Sequence, residues 1–180
     1  MPVLVDWSNQ NIVMDTLPVI KLTEWYGTPA RDTVYAYARM CASDRALRLS
    51  MTVFDGEPPA TQTAFALLQL GEARLRLAFT PDKTVRLTEE TTGRRLPDPA
   101  CTFSAGVDEQ GWYWQAACTL EAAALAACGA ALPRVGDSFR GGFFVQDALE
   151  EAFGSAFAAE HPDGPFRPSA CLGSFAVISY

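Results

Sequence analysis

The sequence predicts an all-β protein, an antiparallel β-sandwich of the jelly-roll type with one or two short helices. Apolar and polar side chains alternate strictly in short segments such as Arg74-Leu75-Arg76-Leu77, which puts every second residue on a buried face. Glycine, proline and aspartate recur between these segments about every eight to twelve residues, as expected for strands joined by tight turns. A length of 180 residues with 49% hydrophobic and 19% charged content is typical of one globular domain.

The alternation places the individual strands. Residues 33–42 and 45–54 alternate throughout, and only Ser43 and Asp44 separate them, which predicts a hairpin. The remaining predicted strands are residues 17–22, 64–70, 74–80, 84–88, 112–119, 139–145 and 172–180. The last of these ends the chain, and we expect it to be tucked into the sheet.

Three segments lack this alternation. Residues 121–128 are rich in alanine, poor in β-branched residues and followed by Gly129 and Pro133, which predicts a short helix. Residues 148–159 predict a second short helix or a turn. Residues 1–16 are polar and irregular and predict a lead-in segment, so the predicted domain is a single one over residues 17–180.

Composition argues against several kinds of partner. A net charge of −7 and an isoelectric point near 4.7 argue against nucleic acid, whose binding needs a basic surface. No apolar run approaches the roughly 18 residues of a membrane span. The N-terminus lacks the basic and apolar regions of a signal peptide, which predicts a cytoplasmic protein, or an extracellular one if a leader is missing from this sequence.

The five cysteines are widely spaced, odd in number and form no C-x-x-C pair. We therefore expect small buried residues and no disulfide framework. The loop aspartates Asp55, Asp82 and Asp163 form no D-x-D-x-D-G run, so no metal is predicted. No cofactor is predicted either, since G-x-G-x-x-G and phosphate-loop segments are absent.

Catalytic groupings are scarce in the sequence, which predicts that the protein is not an enzyme. The one histidine, His161, stands in a polar loop, and no G-x-S-x-G or H-E-x-x-H segment is present. Adjacent carboxylates occur at Glu89-Glu90 and Glu150-Glu151. Neighbours on a strand point to opposite faces, so both pairs are expected to be solvated surface.

A pattern of glycines, prolines and aromatic residues marks the C-terminal third. It consists of Gly136, Arg140, Gly141, Phe143, Phe144, Pro162, Asp163, Phe166, Pro168 and Gly173. With Trp25 and Pro29 near the start, this order resembles the family 9 carbohydrate-binding modules and their stand-alone, DOMON-like relatives over about residues 17–180. Three positions depart from the family: Gly142 replaces asparagine, and Phe157 and Arg167 replace a frequent tryptophan and histidine.

The resemblance implies a β-sandwich that binds a small saccharide or glycan through an aromatic clamp with polar residues around it. Aromatic rings stack on the apolar face of a sugar, while fixed polar side chains bond its hydroxyl groups. Trp112 and Trp114 share a strand face; Trp114 lies nearer the apolar run and is expected in the core, which leaves Trp112 as the platform. The predicted ligand-binding residues are Trp25, Trp112, Phe157, Arg140, Glu89 and Arg94.

Two other functions stay open on the sequence. The three departures fit a domain that keeps the fold, has lost the sugar site and serves as a protein-interaction or structural module. A more remote alternative is a glycoside-active enzyme, which needs Glu89, Glu150 or Glu151 to meet His161 in one aromatic cleft. Exposed edge strands would allow a dimer as readily as a monomer.

Overall fold

The computed structural model describes residues 1–9, 13–27, 34–58, 60–147, 152–160 and 167–179. These ranges contain fourteen strands, one short helix, α1 (Ala122–Ala126), and 3₁₀ turns at Met14–Thr16 and Pro168–Ala170. The strands are β1 (Val3–Trp7), β2 (Ile20–Lys21), β3 (Glu24–Tyr26), β4 (Tyr35–Ala42), β5 (Ala46–Phe54), β6 (Gln62–Leu70), β7 (Ala73–Phe79), β8 (Val85–Glu89), β9 (Arg94–Arg95), β10 (Ala100–Asp108), β11 (Gly111–Glu121), β12 (Ser138–Asp147), β13 (Ala152–Ser155) and β14 (Gly173–Ile178). No helix in these ranges is long and apolar enough to cross a membrane. The all-β prediction is confirmed.

The strands belong to one sheet that curls into a sandwich. Neighbours follow the order β10-β11-β5-β4-β1-β14-β12-β6-β7-β8-β9, with β2 beside β4, β13 beside β12, and β3 beside β13. We call β10-β11-β5-β4 the first layer and β12-β6-β7-β8 the second layer. Trp114 of β11 donates its indole N–H to Gln62 Oε1 of β6 at 2.9 Å, which shows that the two layers face each other.

The main core lies between the layers and follows the alternation of the sequence. In β7, Leu75 and Leu77 are fully buried, while Arg74 and Arg76 lie on the outer face. Each buried side chain of this size contributes about 1.5–3 kcal/mol. A slip of one residue in the pairing would expose the whole buried set, so burial fixes the register.

The chain termini enter the middle of the sheet. β14 lies between β1 and β12 with Phe175 and Val177 buried, as predicted for the last strand. β1 is parallel to both β14 and β4, whereas the other pairings are antiparallel among the described residues. Part of the predicted lead-in is therefore a strand. Its five residues are too few to show a clear alternation in the sequence.

Two further segments differ from the prediction. Residues 148–159 predict a helix or turn, yet Ala152–Ser155 forms β13, which pairs with β12 on one side and β3 on the other. Pairing on both sides overrides the weak helical preference of this alanine-bearing segment. β10 is not predicted, because its small residues and glycine show no apolar alternation. Most of its residues are exposed, as suits an edge strand.

A disulfide joins Cys101 of β10 to Cys118 of β11, which corrects the expectation that these cysteines are small buried thiols. The two residues lie directly opposite each other in the antiparallel ladder, with Cα atoms 4.2 Å apart. Recognising the pair requires β10, which the sequence does not reveal. Cys41 and Cys171 are buried free thiols, as expected, and Cys128 is partly buried.

Candidate functional site

A groove of about 450 Å³ lies on the outer face of the second layer. Its lining comes largely from the residues that alternate with the core set in β6, β7 and β8, so strand pairing fixes their spacing. We call it the arginine groove; it is lined by Thr63, Arg76, Ala78, Thr80, Thr84, Arg86, Thr88 and Glu90. The lining offers hydroxyl, guanidinium and carboxylate groups on a sheet surface.

A second hydrophobic cluster lies on the same outer face, beside and beneath the groove. Phe65 of β6 stacks on Phe144 of β12 with ring centroids 4.8 Å apart, and both side chains are fully buried. Leu67, Cys171 and Leu172 complete the cluster, and Ala78 of the groove packs against it. The outer face of the second layer therefore has a small hydrophobic core of its own, and the groove residue Ala78 packs against it.

The second cluster explains one departure from the family pattern. A Cβ atom at Gly142 would lie 2.7 Å from the Phe144 ring and 3.0 Å from the Cys171 carbonyl oxygen. A larger residue such as asparagine would therefore displace the ring or the loop. The glycine follows from how the cluster packs.

Two arginines give the groove its charge. The guanidinium carbon of Arg76 lies 4.0 Å from the centroid of the Phe65 ring, a cation–π contact that restricts the side chain. Arg86 lies opposite Ala78 in the β7–β8 ladder, which makes it a diagonal neighbour of Arg76 on the same face. Such neighbours have Cβ atoms about 7–8 Å apart. Two long side chains at this spacing can converge on one ligand group.

Arg140, one of the predicted binding residues, connects β12 to Glu160 and to Leu172, a member of the second cluster. Its Nη2 atom donates to Glu160 Oε1 at 2.5 Å and to the Leu172 carbonyl oxygen at 3.1 Å. It lies on the same outer face as Phe144, four residues along β12. Of the six predicted residues, Arg140 is the one that shares a sheet face with the groove.

Glu89 closes the turn between β8 and β9. Its carboxylate accepts hydrogen bonds from the N–H groups of Thr91 at 3.0 Å and Thr92 at 2.8 Å, and from the Thr92 hydroxyl. These donors, the hydroxyl above all, lower the pKa of Glu89 to about 2. Arg94 is the register partner of Glu89 in β9 and is exposed.

The predicted stacking residues Trp25 and Phe157 both lie against glycines. The Trp25 ring covers Gly154, where a Cβ atom would come within 2.7 Å of it, and the residue stays partly exposed. The Phe157 ring covers Gly173 and meets the Phe175 ring edge-on, with centroids 5.7 Å apart. Phe157 therefore packs onto the main core in this structure.

The two tryptophans of β11 have the environments that the sequence predicts. Trp114 is only 6% exposed and bonds Gln62 across the sandwich. Trp112 is 64% exposed and lies beside Gly56 at the tip of the β10–β11 hairpin. The core position of Trp114 is confirmed, and Trp112 is open to solvent.

The strand registers separate the predicted ligand-binding residues. Trp25 is level with the start of β6, and Trp112 lies near that end as well. Arg140 and Glu89 are level with the end of β6. The structure does not bring the six residues into one cleft, and their role in binding stays a prediction.

Several residues that the sequence singles out lie outside the described ranges, namely Pro29, Glu150, Glu151, His161, Pro162, Asp163 and Phe166. Glu150, Glu151 and His161, which a glycoside-active enzyme would need, are among them. Within the described ranges, no group of three or more histidine, cysteine, aspartate or glutamate residues is placed to hold a metal ion.

The sequence does not single out the residues of the groove. Arg76 and Arg86 are the polar members of alternating strands, where a charge is ordinarily solvated surface. The available signal is the repeated arginine on neighbouring strands, R-L-R-L in β7 and V-R-L in β8. Predicting a site from this pattern requires the strand register, which places Arg86 next to Arg76 on the same face.

An aromatic surface occupies the outer face of the first layer. Phe54 lies within 5.3–6.0 Å, centroid to centroid, of the rings of Tyr35, Tyr37 and Tyr113. We call these four residues the tyrosine face; all of them are partly exposed. Beside it, Ser104 donates to Gln115 Oε1 at 3.2 Å, and Gln115 Nε2 donates to the Thr52 hydroxyl at 3.0 Å.

No protein-family model matches the sequence, and a search of curated proteins finds no match. Among solved structures, the chain is similar to a family 9 carbohydrate-binding module from Caldicellulosiruptor kristjanssonii, in complex with cellotriose (TM-score 0.61) and with glucose (TM-score 0.62), at 11% identity. These alignments cover 100% of this chain and 95% and 97% of the others. A candidate carbohydrate-binding protein from Bacteroides uniformis aligns with a TM-score of 0.65 at 10% identity, over 98% of each chain.

The similarity extends over practically the whole chain, including both layers and the central strands. At 10–11% identity it concerns the arrangement of the backbone and not the chemistry of a site. The resemblance seen in the sequence is thereby confirmed at the level of architecture. The chain has the fold of the family 9 carbohydrate-binding modules.

Proposed function

We propose that the protein is a non-catalytic saccharide-binding module and that the sugar lies in the arginine groove. The observation that carries the proposal is the groove itself, a concave sheet surface whose lining is dominated by hydroxyl and charged side chains. Its volume of about 450 Å³ lies within the range of about 300–1,000 Å³ usual for small-molecule sites. The similarity to modules seen in complex with cellotriose and glucose supports the same ligand class.

Side chains on paired strands suit hydroxyl recognition because their positions are fixed by the ladder. Thr63 and Thr88 contribute hydroxyl groups to the groove lining, and each hydroxyl can both donate to and accept from a sugar hydroxyl. Ala78 and the aliphatic stem of Arg76 supply the apolar contact. Without an aromatic clamp, each sugar hydroxyl exchanges water for a protein group, and we expect weak binding.

The finer proposal from the sequence places stacking on Trp25, with Trp112 or Phe157 opposite and hydrogen bonds from Arg140, Glu89 or Arg94. The two proposals predict different mutational effects, because Trp25 and the groove lie on different faces of the second layer. Ligand-detected NMR with glucose, cellotriose and glucuronic acid would be recorded for the wild type and three variants. Thr88→Val tests the groove, Trp25→Ala tests the clamp, and Thr102→Val on exposed β10 is the matched threonine control.

Loss of saccharide binding in Thr88→Val alone would support the groove. Loss in Trp25→Ala alone would assign the site to the clamp and overturn the groove. Absence of binding to the whole panel by the folded wild type would overturn the saccharide proposal. An effect of Thr102→Val equal to that of Thr88→Val would show that the effects are not local to either site.

A second candidate function is a protein-interaction or structural module whose sugar site has been lost. The observation that favours it is the second cluster, since Phe65, Leu67 and Phe144 fill an outer sheet face with apolar side chains. A partner rather than a sugar would then use the remaining exposed surface, as a monomer or a dimer. Sedimentation of the purified protein at several concentrations would test self-association, and no change in molar mass would exclude the dimer at those concentrations.

A further inference from the structure

Arginines are concentrated on one face of an acidic protein. The chain has a net charge of −7. Yet the registers of β12, β6, β7, β8 and β9 place five arginines on the outer face of the second layer, namely Arg74, Arg76, Arg86, Arg95 and Arg140. A cationic face on an acidic molecule attracts an anion locally while the rest of the surface repels it.

Some of these charges already have partners. Arg95 forms a salt bridge with Asp98 at 2.7 Å and Arg140 forms one with Glu160 at 2.5 Å. Arg74 lies directly across the ladder from Glu90, the one carboxylate that lines the groove, but the two side chains are not within salt-bridge distance. Among the described residues, Arg76 and Arg86, the two arginines that line the groove, have no carboxylate within that distance either.

The geometry of Arg76 favours a planar anion. Its guanidinium group lies over the Phe65 ring at 4.0 Å, and Phe65 is itself held by stacking on Phe144. Stacking occupies one face of the group and leaves its N–H donors, which point outward in the guanidinium plane. A carboxylate accepts two such donors side by side, which a single hydroxyl group does not.

We propose that the arginine groove binds an acidic saccharide through the carboxylate of a uronic acid residue. Arg76 and Arg86 bind the carboxylate, and the Thr63 and Thr88 hydroxyl groups bind the ring hydroxyls beside it. The proposal rests on the proposed saccharide-binding function and narrows its ligand class. In this proposal the guanidinium groups of Arg76 and Arg86 recognise the negative charge of the ligand. A neutral sugar would leave both groups without a counter-charge.

The test compares ligands that differ at one carbon. Glucuronic acid and glucose differ in having a carboxylate or a hydroxymethyl group, and glucose 6-sulfate supplies an anion of different shape at the same position. Binding of each to the wild type would be measured by NMR titration at low and high salt. We expect glucuronic acid to bind about tenfold more tightly than glucose at low salt, through charge-assisted hydrogen bonds, and to lose part of that advantage at high salt.

Three variants connect the preference to the groove. Arg86→Gln removes one charge from an exposed position and is expected to lower the affinity for glucuronic acid about tenfold, a larger loss than for glucose. Arg76→Lys keeps the charge and loses the planar fork, so it should lower affinity as well. Arg45→Gln, at an exposed arginine of the β4–β5 hairpin, is the control and should change neither affinity.

The outcomes separate this inference from the function on which it rests. Equal binding of glucose and glucuronic acid, unchanged in Arg86→Gln, would overturn the acidic preference and leave saccharide binding intact. No binding of any sugar by the folded protein would overturn both. Equal binding of glucose 6-sulfate and glucuronic acid would overturn the assignment to a carboxylate. Displacement of glucuronic acid by an equal concentration of inorganic sulfate would also overturn it, and would indicate a simple anion site.

Discussion

The arginine groove and the tyrosine face are the outer faces of the two layers of one sandwich, but their polar groups are used differently. On the tyrosine face, Arg39 stacks over Tyr37 at 4.8 Å and forms a salt bridge with Asp15 at 3.0 Å. The amide of Gln115 is bonded on both sides, to Ser104 and Thr52. In the groove, Arg76 also stacks on a ring but has no carboxylate partner among the described residues.

This difference is the reason that we propose the groove, and not the tyrosine face, as the binding site: the groove presents guanidinium groups without a carboxylate partner among the described residues. Beside the tyrosine face, the Arg39 guanidinium and the Gln115 amide are bonded to other side chains of the protein. In the same layer, the Ser50 hydroxyl has no partner among the described residues, but it is buried and out of reach of a ligand.

Phe144→Ala should destabilise the protein far more than Phe54→Ala. Phe144 is fully buried in the second cluster, and truncating such a ring typically costs about 3–5 kcal/mol. Phe54 is partly exposed on the tyrosine face, so its truncation should cost about 1–2 kcal/mol. Urea denaturation monitored by tryptophan fluorescence gives both free energies of unfolding.

Equal losses for the two variants would contradict the view that the outer face of the second layer contains a core of its own. Phe143→Leu, a milder change in the main core between the layers, shows whether the assay resolves differences of the expected size. The comparison requires similar denaturant slopes for all variants, since a changed slope reports a changed unfolded or native state.

Reducing the disulfide should destabilise the first layer. Cys101 and Cys118 are 17 residues apart, and closing a loop of this length contributes about 3 kcal/mol in the chain-entropy model. The disulfide holds the edge strand β10, whose residues are mostly exposed and contribute little burial. Denaturation of the wild type with and without reductant should therefore differ, while the Cys101→Ala/Cys118→Ala double variant should not respond to reductant. A response in the double variant would assign the effect to another cysteine.

The fold could be predicted well because the information for it is local. Alternation in β4 to β8 and at the C-terminus is set by neighbouring residues, and hydrophobic burial enforces it in the structure. The sequence does not predict β10 or the Cys101–Cys118 pair, because β10 lacks large apolar residues at alternate positions. A disulfide is typical of an oxidising compartment, whereas the sequence predicts a cytoplasmic protein, and that localisation stays a prediction.

The candidate site could not be predicted in the same way, because its geometry depends on contacts between strands that are distant along the chain. Gly142 reads as a departure from a family pattern, and its cause is the distance to Phe144 and Cys171. Glu89 reads as a polar partner for a sugar, and its carboxylate is occupied by the donors of Thr91 and Thr92. Such pairings follow from register and loop closure, which residue types alone do not reveal.

Glu89 should make the β8–β9 hairpin sensitive to acid. Its pKa falls from an ordinary value of 4.5 to about 2, chiefly through the Thr92 hydroxyl and the two backbone donors. The folded pKa lies below the unfolded pKa, so the stabilisation is present above about pH 4.5 and is lost as the pH falls toward 2. Denaturation of the wild type between about pH 6 and about pH 2.5 should show a greater loss than that of Glu89→Gln.

Glu90→Gln, the neighbouring carboxylate in the groove, is the matched control for this pH dependence. If Glu89→Gln and the wild type lose stability in parallel as the pH falls, the hydrogen bonds of Glu89 at the turn are not the cause of the acid sensitivity. The Glu89→Gln variant also tests the groove as the binding site, because Glu89 does not line it. If the saccharide binds in the groove, this substitution should leave the affinity unchanged.

Trp112→Ala should have the smallest effect. Trp112 is 64% exposed at the tip of the β10–β11 hairpin, and substitutions at such surface positions usually change stability by no more than about 0.5 kcal/mol. If the groove binds the saccharide, affinity should also stay unchanged, because Trp112 lies on the first layer and does not line the groove. NMR titration with glucuronic acid measures that affinity. A loss of affinity in a Trp112→Ala variant of unchanged stability would contradict the groove and favour a site formed by the aromatic residues that the sequence predicts.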